Sequence, residues 1–310
     1  MKKTQFKGAA LLLLTAMIWG SSFVAQSVGM DKIEAFTFNG IRTLMGAAFL
    51  LPVILIKDAA AMKKPGAPTK EQRKKENLTA LRNGTFMGLA LCAASNVQQF
   101  AFVYTAPGKI AFITAFYMFF VPIIGLLLHK KIPLITWLCV AAGCGGLYFL
   151  CIADAGFSGM NKGDILALIC SVLFAVHIIV IEKCSPGTDP VKLSCVQFTV
   201  AGGISCLLMF IFESPSLPAI NSCILPLLYS GIFSCGLAYT FQVIGQKYTE
   251  STVASLLMCM ESVFGVIFSA IILKEKMTAN EIIGCVIMFA AIIVSQFADR
   301  LADKFTKKSQ

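Results

Sequence analysis

The chain has 310 residues, 57% of them hydrophobic and only 14% charged, with 25 phenylalanines and a mean hydropathy of +0.79. Soluble domains sit near about 45–50% apolar and about 25% charged. The composition therefore excludes a soluble globular enzyme, a disordered chain and a secreted disulfide scaffold, and leaves a polytopic membrane protein. The net charge of +10 comes from 26 Lys and Arg against 16 Asp and Glu. These basic residues fall between apolar runs, so they read as orientation determinants and not as a nucleic-acid footprint.

A hydrocarbon core of about 30 Å needs about 20 apolar residues per helix. Ten runs meet that length in chain order: 8–26, 35–56, 84–104, 108–128, 134–152, 163–181, 191–212, 224–245, 252–273 and 279–298. The expected fold is an all-α membrane protein of ten transmembrane helices. The first run follows Lys2, Lys3 and Lys7 as a signal peptide would. Trp19 and the polar Thr15, Ser22 and Gln26 at helical spacing argue for a retained helix instead. The segment 57–83 is rich in Lys and Glu, with Pro65 and Pro68 near its start. It reads as a solvated connector, helical from Lys70 to Leu81, or as a contact for anionic headgroups. The sequon Asn77-Leu78-Thr79 lies in it and is silent on the cytoplasmic side.

Later runs carry their own punctuation. Pro107-Gly108 marks a break before the fourth, and Pro122 inside it is expected to kink it. Gly143, Gly145 and Gly146 in the fifth and Gly202 and Gly203 in the seventh permit close helix approach or bending. The 12 cysteines include no C-x-x-C pair and sit singly in apolar runs, so they read as small hydrophobes, with neither a metal site nor a cofactor expected.

With the N-terminus inside, 20 Lys and Arg fall on the cytoplasmic side and 5 outside; Arg42 lies within a span. That asymmetry places both termini in the cytoplasm of a multi-pass plasma-membrane protein.

The halves 1–153 and 154–310 resemble each other. Leu128-His129-Lys130-Lys131-Ile132 aligns with Leu273-Lys274-Glu275-Lys276-Met277, Gly8–Val24 with Gly163–Ile179, and Gln98–Tyr104 with Gln242–Tyr248. Each half holds five spans, an odd number, so the second enters the membrane from the opposite side. That is an inverted-topology repeat, suited to alternating access, and it leads spans 4 and 9 to be expected to move.

Gly20 after Trp19, Arg42 opening the second span, and Tyr104 with Ala106 before the fourth resemble the EamA-like family of the drug/metabolite transporter superfamily. So do Glu261 with Val263-Phe264 and the Leu273-Lys274-Glu275 end of the ninth span. The resemblance covers essentially the whole chain and implies export or uptake of small metabolites. Two positions depart from it: His129 stands where the first repeat usually carries an acidic residue, and Ser262 follows Glu261 where proline is common.

Polar groups in hydrocarbon are costly and face protein or water. Thr15, Trp19, Ser22 and Gln26 share one stripe of span 1. In span 3, Ser95, Gln98 and Phe102 share a face, with Asn96 and Gln99 beside it. In span 8, Tyr239, Gln242 and Gln246 share the equivalent face, and His177 takes the place of Ser22 on span 6. With Tyr117, the residues Trp19, Ser22, Asn96, Gln98, Gln99, His177, Tyr239 and Gln242 form a candidate substrate cavity. The competing reading is interhelical hydrogen bonding, worth about 0.6–2 kcal/mol each. For Arg42 and Glu261, three readings stand: an ion pair with each other, a substrate and proton site, or outward snorkelling of Arg42. His177 is the second candidate for proton exchange.

Neither H-E-x-x-H, G-x-S-x-G nor a P-loop occurs, and the only histidines are His129 and His177. An integral membrane enzyme, a channel and an ATP-driven pump are therefore less favoured. A lipid or polyprenyl-phosphate flippase remains as an alternative cargo class. The favoured reading is a secondary transporter, an exporter of an amino acid-like or drug-like metabolite. Its partners are that small molecule and membrane lipids, without nucleic acid.

Overall fold

A computed structural model describes residues 3–105, 107–151, 153, 161–272 and 278–295, and among these every regular element is helical. In chain order these are α1 (Lys3–Met30), α2 (Ala35–Met62), α3 (Lys70–Ala101), α4 (Pro107–Thr114), α5 (Tyr117–Leu127), α6 (Leu134–Cys151), α7 (Lys162–Cys184), α8 (Pro190–Phe212), α9 (Leu217–Ser222) and α10 (Ile224–Leu228). A π-helical segment (Tyr229–Tyr239), α11 (Thr240–Gln246), α12 (Ser251–Met258), α13 (Met260–Ile272) and α14 (Ala279–Ser295) follow. Among the described residues, six stretches are long and apolar enough to cross a bilayer: Gln5–Met30, Ala35–Met62, Lys109–Leu127, Lys162–Cys184, Pro190–Phe212 and Ile224–Gln246. Leu134–Phe149, Ser251–Gly265 and Ala279–Ser295 are apolar but shorter. Ala106, Leu273–Met277 and the basic tail with Arg300 and Lys304 lie outside the described residues.

Four expectations are corrected. The connector after the second span is only 63–69, because α2 runs to Met62 and α3 starts at Lys70 and continues unbroken to Ala101. A capping box starts α3: the Gln72 N–H donates to Thr69 Oγ1 at 3.2 Å and the Thr69 N–H to Gln72 Oε1 at 2.8 Å. The fourth run breaks at residues 115–116, upstream of Pro122. There the N–H groups of Phe116, Met118 and Phe119 bond three residues back, to Ile113, Ala115 and Phe116. The eighth run is not one α-helix, since its middle winds as π-helix. The ninth is divided at Cys259.

Helix α1 packs against the π segment, α11, α12 and α13, while α7 packs against α3, α4 and α5. Helix α2 lies along α8 and the π segment, α3 along α7 and α8, and α6 along α14. Glycines set several of these distances. A Cβ on Gly84 or Gly88 would stand 2.6 or 2.7 Å from Val196 or Val200 Cβ, so this Gly-x-x-x-Gly face brings α8 onto α3. Of the glycines singled out from the sequence, Gly143, Gly146 and Gly202 meet neighbours, but Gly145 and Gly203 face open space.

Charged side chains gather at two ends. One end holds Lys57–Asp189 at 2.7 Å, Lys192–Asp58 at 2.9 Å, and Glu182 with Lys130 and Ser251. Asn77, from the silent sequon, accepts from Lys192 Nζ there. The other end holds Lys109–Asp164 at 2.7 Å, and Glu213 accepting from the Phe36 and Thr37 N–H groups at 2.7 Å each. Residues expected in cytoplasmic loops thus share the first end.

Asp189 also caps α8, accepting from the Val191 and Lys192 N–H groups at 2.8 and 3.2 Å. Burial alone would raise its carboxyl, but the Lys57 ammonium and these N–H groups hold it below its ordinary value. A depressed carboxylate contributes stability above its unfolded pKa of about 3.9. That stability is lost as pH falls through the lower folded value. Asp189→Ala is therefore expected to cost about 1 kcal/mol at neutral pH. The difference from wild type should shrink in acid, read as thermal midpoint against pH in detergent.

Candidate functional site

Broken helices build the site. Tyr117 opens α5 just after the 115–116 break, and Glu261 lies in the first turn of α13 just after Cys259. A carboxylate in a first helical turn is favoured by the free N–H groups and the helix dipole. The Tyr117 hydroxyl donates to Glu261 Oε1 at 3.2 Å, joining the two breaks. Trp19 is brought alongside by close packing of its neighbour: a Cβ on Gly20 would stand 2.6 Å from the Glu261 carbonyl and 2.8 Å from the Gly265 nitrogen. Gly20→Val is accordingly expected to force α1 off α13 and lower stability by about 1–3 kcal/mol, measured by thermal unfolding.

The π segment supplies Tyr239 and Ser234 on its inner side. Its wide turns suit the close fit to α2, where a Cβ on Gly46 would meet Cys235 Cβ at 2.6 Å and one on Gly236 would meet Phe49 at 2.6 Å. Such π geometry recurs at functional sites. The Tyr239 ring is a hub, 4.6 Å from Trp19, 5.9 Å from Phe198 and 6.1 Å from His177, centroid to centroid.

These residues surround a buried cavity of about 30 Å³. Trp19, Phe23, Gln26, Arg42, Gln98, Thr114, Tyr117, Phe174, Ser234, Tyr239 and Glu261 line it. As it stands, the space suits a couple of waters, so an organic solute needs the walls to part.

Arg42 is buried at 3% exposure, which overturns the snorkelling reading. Its Nη1 donates to Gln26 Oε1 at 2.8 Å, and its Nε and Nη2 to Asn39 Oδ1 at 3.1 and 3.0 Å. The guanidinium also stands 5.6 Å from the Phe38 ring centre. No ion pair within 4.0 Å joins it to Glu261, so the reading of a mutual ion pair is also overturned. Two ionisable side chains face one cavity, each bonded to neutral groups. Trp19 Nε1 and Thr114 Oγ1, both on the wall, have no hydrogen-bond partner among the described residues.

Of the residues proposed from sequence, the structure brings Trp19, Gln98, Tyr117, Tyr239, Arg42 and Glu261 to this cavity. His177 lies one layer behind it, bonded through Nε2 to Gln197 Oε1 at 3.2 Å, its ring 6.4 Å from Phe174. Ser22, Gln99 and Gln242 are buried nearby but off the wall. Asn96 belongs elsewhere. It accepts from Asn39 Nδ2 at 2.8 Å and donates to Ser205 Oγ at 2.9 Å in a junction of α2, α3 and α8. Asn39 was missed by sequence reasoning, although its spacing three residues before Arg42 puts both on one helical face. Gln26 was seen only as part of a stripe. Ser262 donates to the Ala111 carbonyl at 3.3 Å, so the departure from proline gives α13 a bond to α4.

The model of the EamA-like transporter family matches the chain twice, over residues 6–152 and 161–297. An uncharacterized transporter of Archaeoglobus fulgidus is 28% identical over 291 residues, covering 91% of this chain and 83% of that protein. The uncharacterized transporter YoaV of Bacillus subtilis is 22% identical over 295 residues, covering 92% and 95%. A crystal structure superposes with TM-score 0.74 at 17% identity, covering 94% of this chain and 98% of that one, which shows a shared fold. The broken helices and buried charged cavity are features of a multi-pass membrane transport protein, and the chain belongs to the EamA-like transporter family.

Proposed function

We propose that the chain is a secondary transporter of ten spans in two inverted five-helix halves, moving a small amino acid-like solute by alternating access. Both termini face the cytoplasm of a plasma membrane. The observation that carries the reading is the cavity wall, where Arg42 from the first half and Glu261 from the second stand unpaired with each other, among aromatic rings. A buried charge costs about 2.5–3.5 kcal/mol at a helix centre on insertion scales, and a merely structural cavity has no reason to carry two ionisable groups on its wall. A carboxylate suits the guanidinium, an ammonium suits Glu261, and Trp19, Tyr117 and Tyr239 suit an apolar body between them.

The double family match supports the duplicated halves. So does the packing: α3 on α7 corresponds to α1 on the π segment and α11, while α2 on α8 and α6 on α14 each pair a span with its own counterpart. The breaks at 115–116 and Cys259 also fall at equivalent places, close to the 145-residue offset between the Leu128 and Leu273 pentamers. Because a carrier is reversible, the imposed gradients set the direction of net transport.

Counterflow in proteoliposomes with pooled labelled metabolites tests this. Zwitterionic solutes are expected to accumulate and their N-acylated or esterified analogues to fail. Accumulation of neither, with a fully folded protein, would remove the reading.

A further inference from the structure

Behind the Tyr239 ring lies a second group of polar side chains that the cavity does not use. His177 Nε2 bonds to Gln197 Oε1 at 3.2 Å. A carboxamide oxygen only accepts, so Nε2 carries the proton and Nδ1 of the neutral ring keeps a lone pair. That Nδ1, Gln197 Nε2, Ser194 Oγ and Gln242 Oε1 are all buried and have no hydrogen-bond partner among the described residues. The four side chains are at most 1% exposed. Ser194 and Gln197, one turn apart, share a face of α8. Gln242 shares a face with Tyr239 before it and Gln246 after it. The Tyr239 ring meets the His177 ring at 6.1 Å, and Gln246 Nε2 donates to the Ile178 carbonyl at 3.0 Å. Gln242, between them, is therefore held against the same turn of α7.

The counterparts of these residues in the first half stand at the solute cavity. Gly8 aligns with Gly163, and α2 and α8 begin at Ala35 and Pro190, both pairs being 155 residues apart. Gln197 is thus the counterpart of Arg42, and Ser194 that of Asn39, while Gln242 aligns with Gln98. Arg42 and Gln98 line the cavity. Gln197 and Gln242 occupy the same kind of position but are screened by Tyr239, whose ring lies on the wall and 5.9 Å from Phe198. The residue aligned with Tyr239 is Ser95, which is too small to screen Arg42 and turns its hydroxyl to the Leu91 carbonyl at 2.7 Å. Asn39 also accepts from two Arg42 nitrogens, whereas Ser194 makes no bond to Gln197. The second half therefore keeps its hydrogen-bonding capacity unspent.

We infer that Ser194, Gln197, His177 and Gln242 form a subsite for a side-chain carboxamide of the solute, uncovered when the Tyr239 ring turns to another rotamer. The subsite rests on the reading of a zwitterionic solute held between Arg42 and Glu261. Its unpaired groups supply both senses of hydrogen bond: the Gln197 amide and the Ser194 hydroxyl donate, and Gln242 Oε1 and His177 Nδ1 accept. A carboxamide brings a matching oxygen and two N–H donors. A carboxylate would meet the two acceptors with acceptors of its own. An ammonium would meet the Gln197 amide donor. An apolar chain would displace any water and leave all four groups unpaired, which is how a buried hydrogen-bonding pocket rejects an analogue that lacks the polar group.

Counterflow by the full-length protein in proteoliposomes, with labelled glutamine, asparagine, glutamate and methionine, tests this. All four probes are zwitterionic at the α-carbon, and glutamate and methionine resemble glutamine in size. Wild type is expected to prefer a carboxamide probe to glutamate and methionine by about tenfold, the factor for each 1.4 kcal/mol. Gln197→Leu and Gln242→Leu, which keep bulk and remove the amide, should each bring the carboxamide probe down to the level of methionine. Methionine transport should stay as it was, which shows that the variant is folded. Ser194→Ala, a smaller change, should move the ratio in the same direction and guards against misfolding of the larger ones. Equal accumulation of all four probes by wild type overturns the subsite and leaves the zwitterion site standing. A carboxamide preference unmoved by all three variants also overturns it, the four groups then holding buried water alone. Accumulation of no zwitterion by the folded protein removes the reading of the central site, and the subsite with it.

Discussion

Glu261→Gln is expected to abolish transport driven by a pH gradient while leaving folded protein in the membrane. The amide keeps the shape of the carboxylate and can still accept from the Tyr117 hydroxyl, so the junction between the two broken helices should survive. What is lost is a group able to gain and release a proton, or to compensate an ammonium, inside the cavity. The fall in gradient-driven rate should reach about 10²-fold or more, the usual scale for removing a proton-transfer group. Exchange of solute at equal pH, which needs no net proton movement, should persist. Equal gradient-driven rates in wild type and variant would remove Glu261 from the coupling step.

Arg42 and Asn39 should separate binding from stability. Arg42→Leu removes the guanidinium and with it charge-assisted hydrogen bonds worth about 1.5–3 kcal/mol each. Affinity for solutes carrying a carboxylate should fall about 10–100-fold, with little change for analogues lacking one. Asn39→Leu acts differently. It leaves the guanidinium buried without the oxygen that now accepts from Nε and Nη2, and it strips the junction with Ser95, Asn96 and Ser205. By analogy with breaking a buried charged pair, that should cost about 3–5 kcal/mol of stability. The double variant should recover part of the loss, because no stranded charge remains. Thermal unfolding of the three proteins in detergent decides it; a double variant no more stable than Asn39→Leu would show that Arg42 is not the group Asn39 serves.

Much of this architecture is legible in hydropathy. Apolar runs of about 20 residues declare spans because the bilayer imposes that length, and helical spacing put Trp19, Gln98 and Tyr239 on inward faces. Arg42 and Glu261 stood out for the same reason, as charges where hydrocarbon makes charge costly. What hydropathy cannot register is helix type and continuity. The π-helical winding of Tyr229–Tyr239 has the same composition as an α-helix, and the close fit of its Gly231 and Gly236 onto α2 is a tertiary contact. The break at 115–116 likewise lies upstream of Pro122, in residues as apolar as those around them. Asn96 and Gln98, two residues apart, illustrate the remaining limit. Both are polar and buried, yet Asn96 bonds α2 and α8 while Gln98 faces the cavity, and only the placement of neighbouring helices distinguishes them.

Access to Gln98→Cys tests the central claim most directly, that one cavity between the halves is reached from each side in turn and holds the solute. A small impermeant thiol reagent is added from one side of oriented vesicles or the other, with and without a solute found by counterflow. The account predicts reaction from both sides, slowing by each face's share of the conformational equilibrium, and full protection by solute. A thiol inert from both sides while loop cysteines react would contradict it, as would free reaction from both sides that saturating solute leaves untouched.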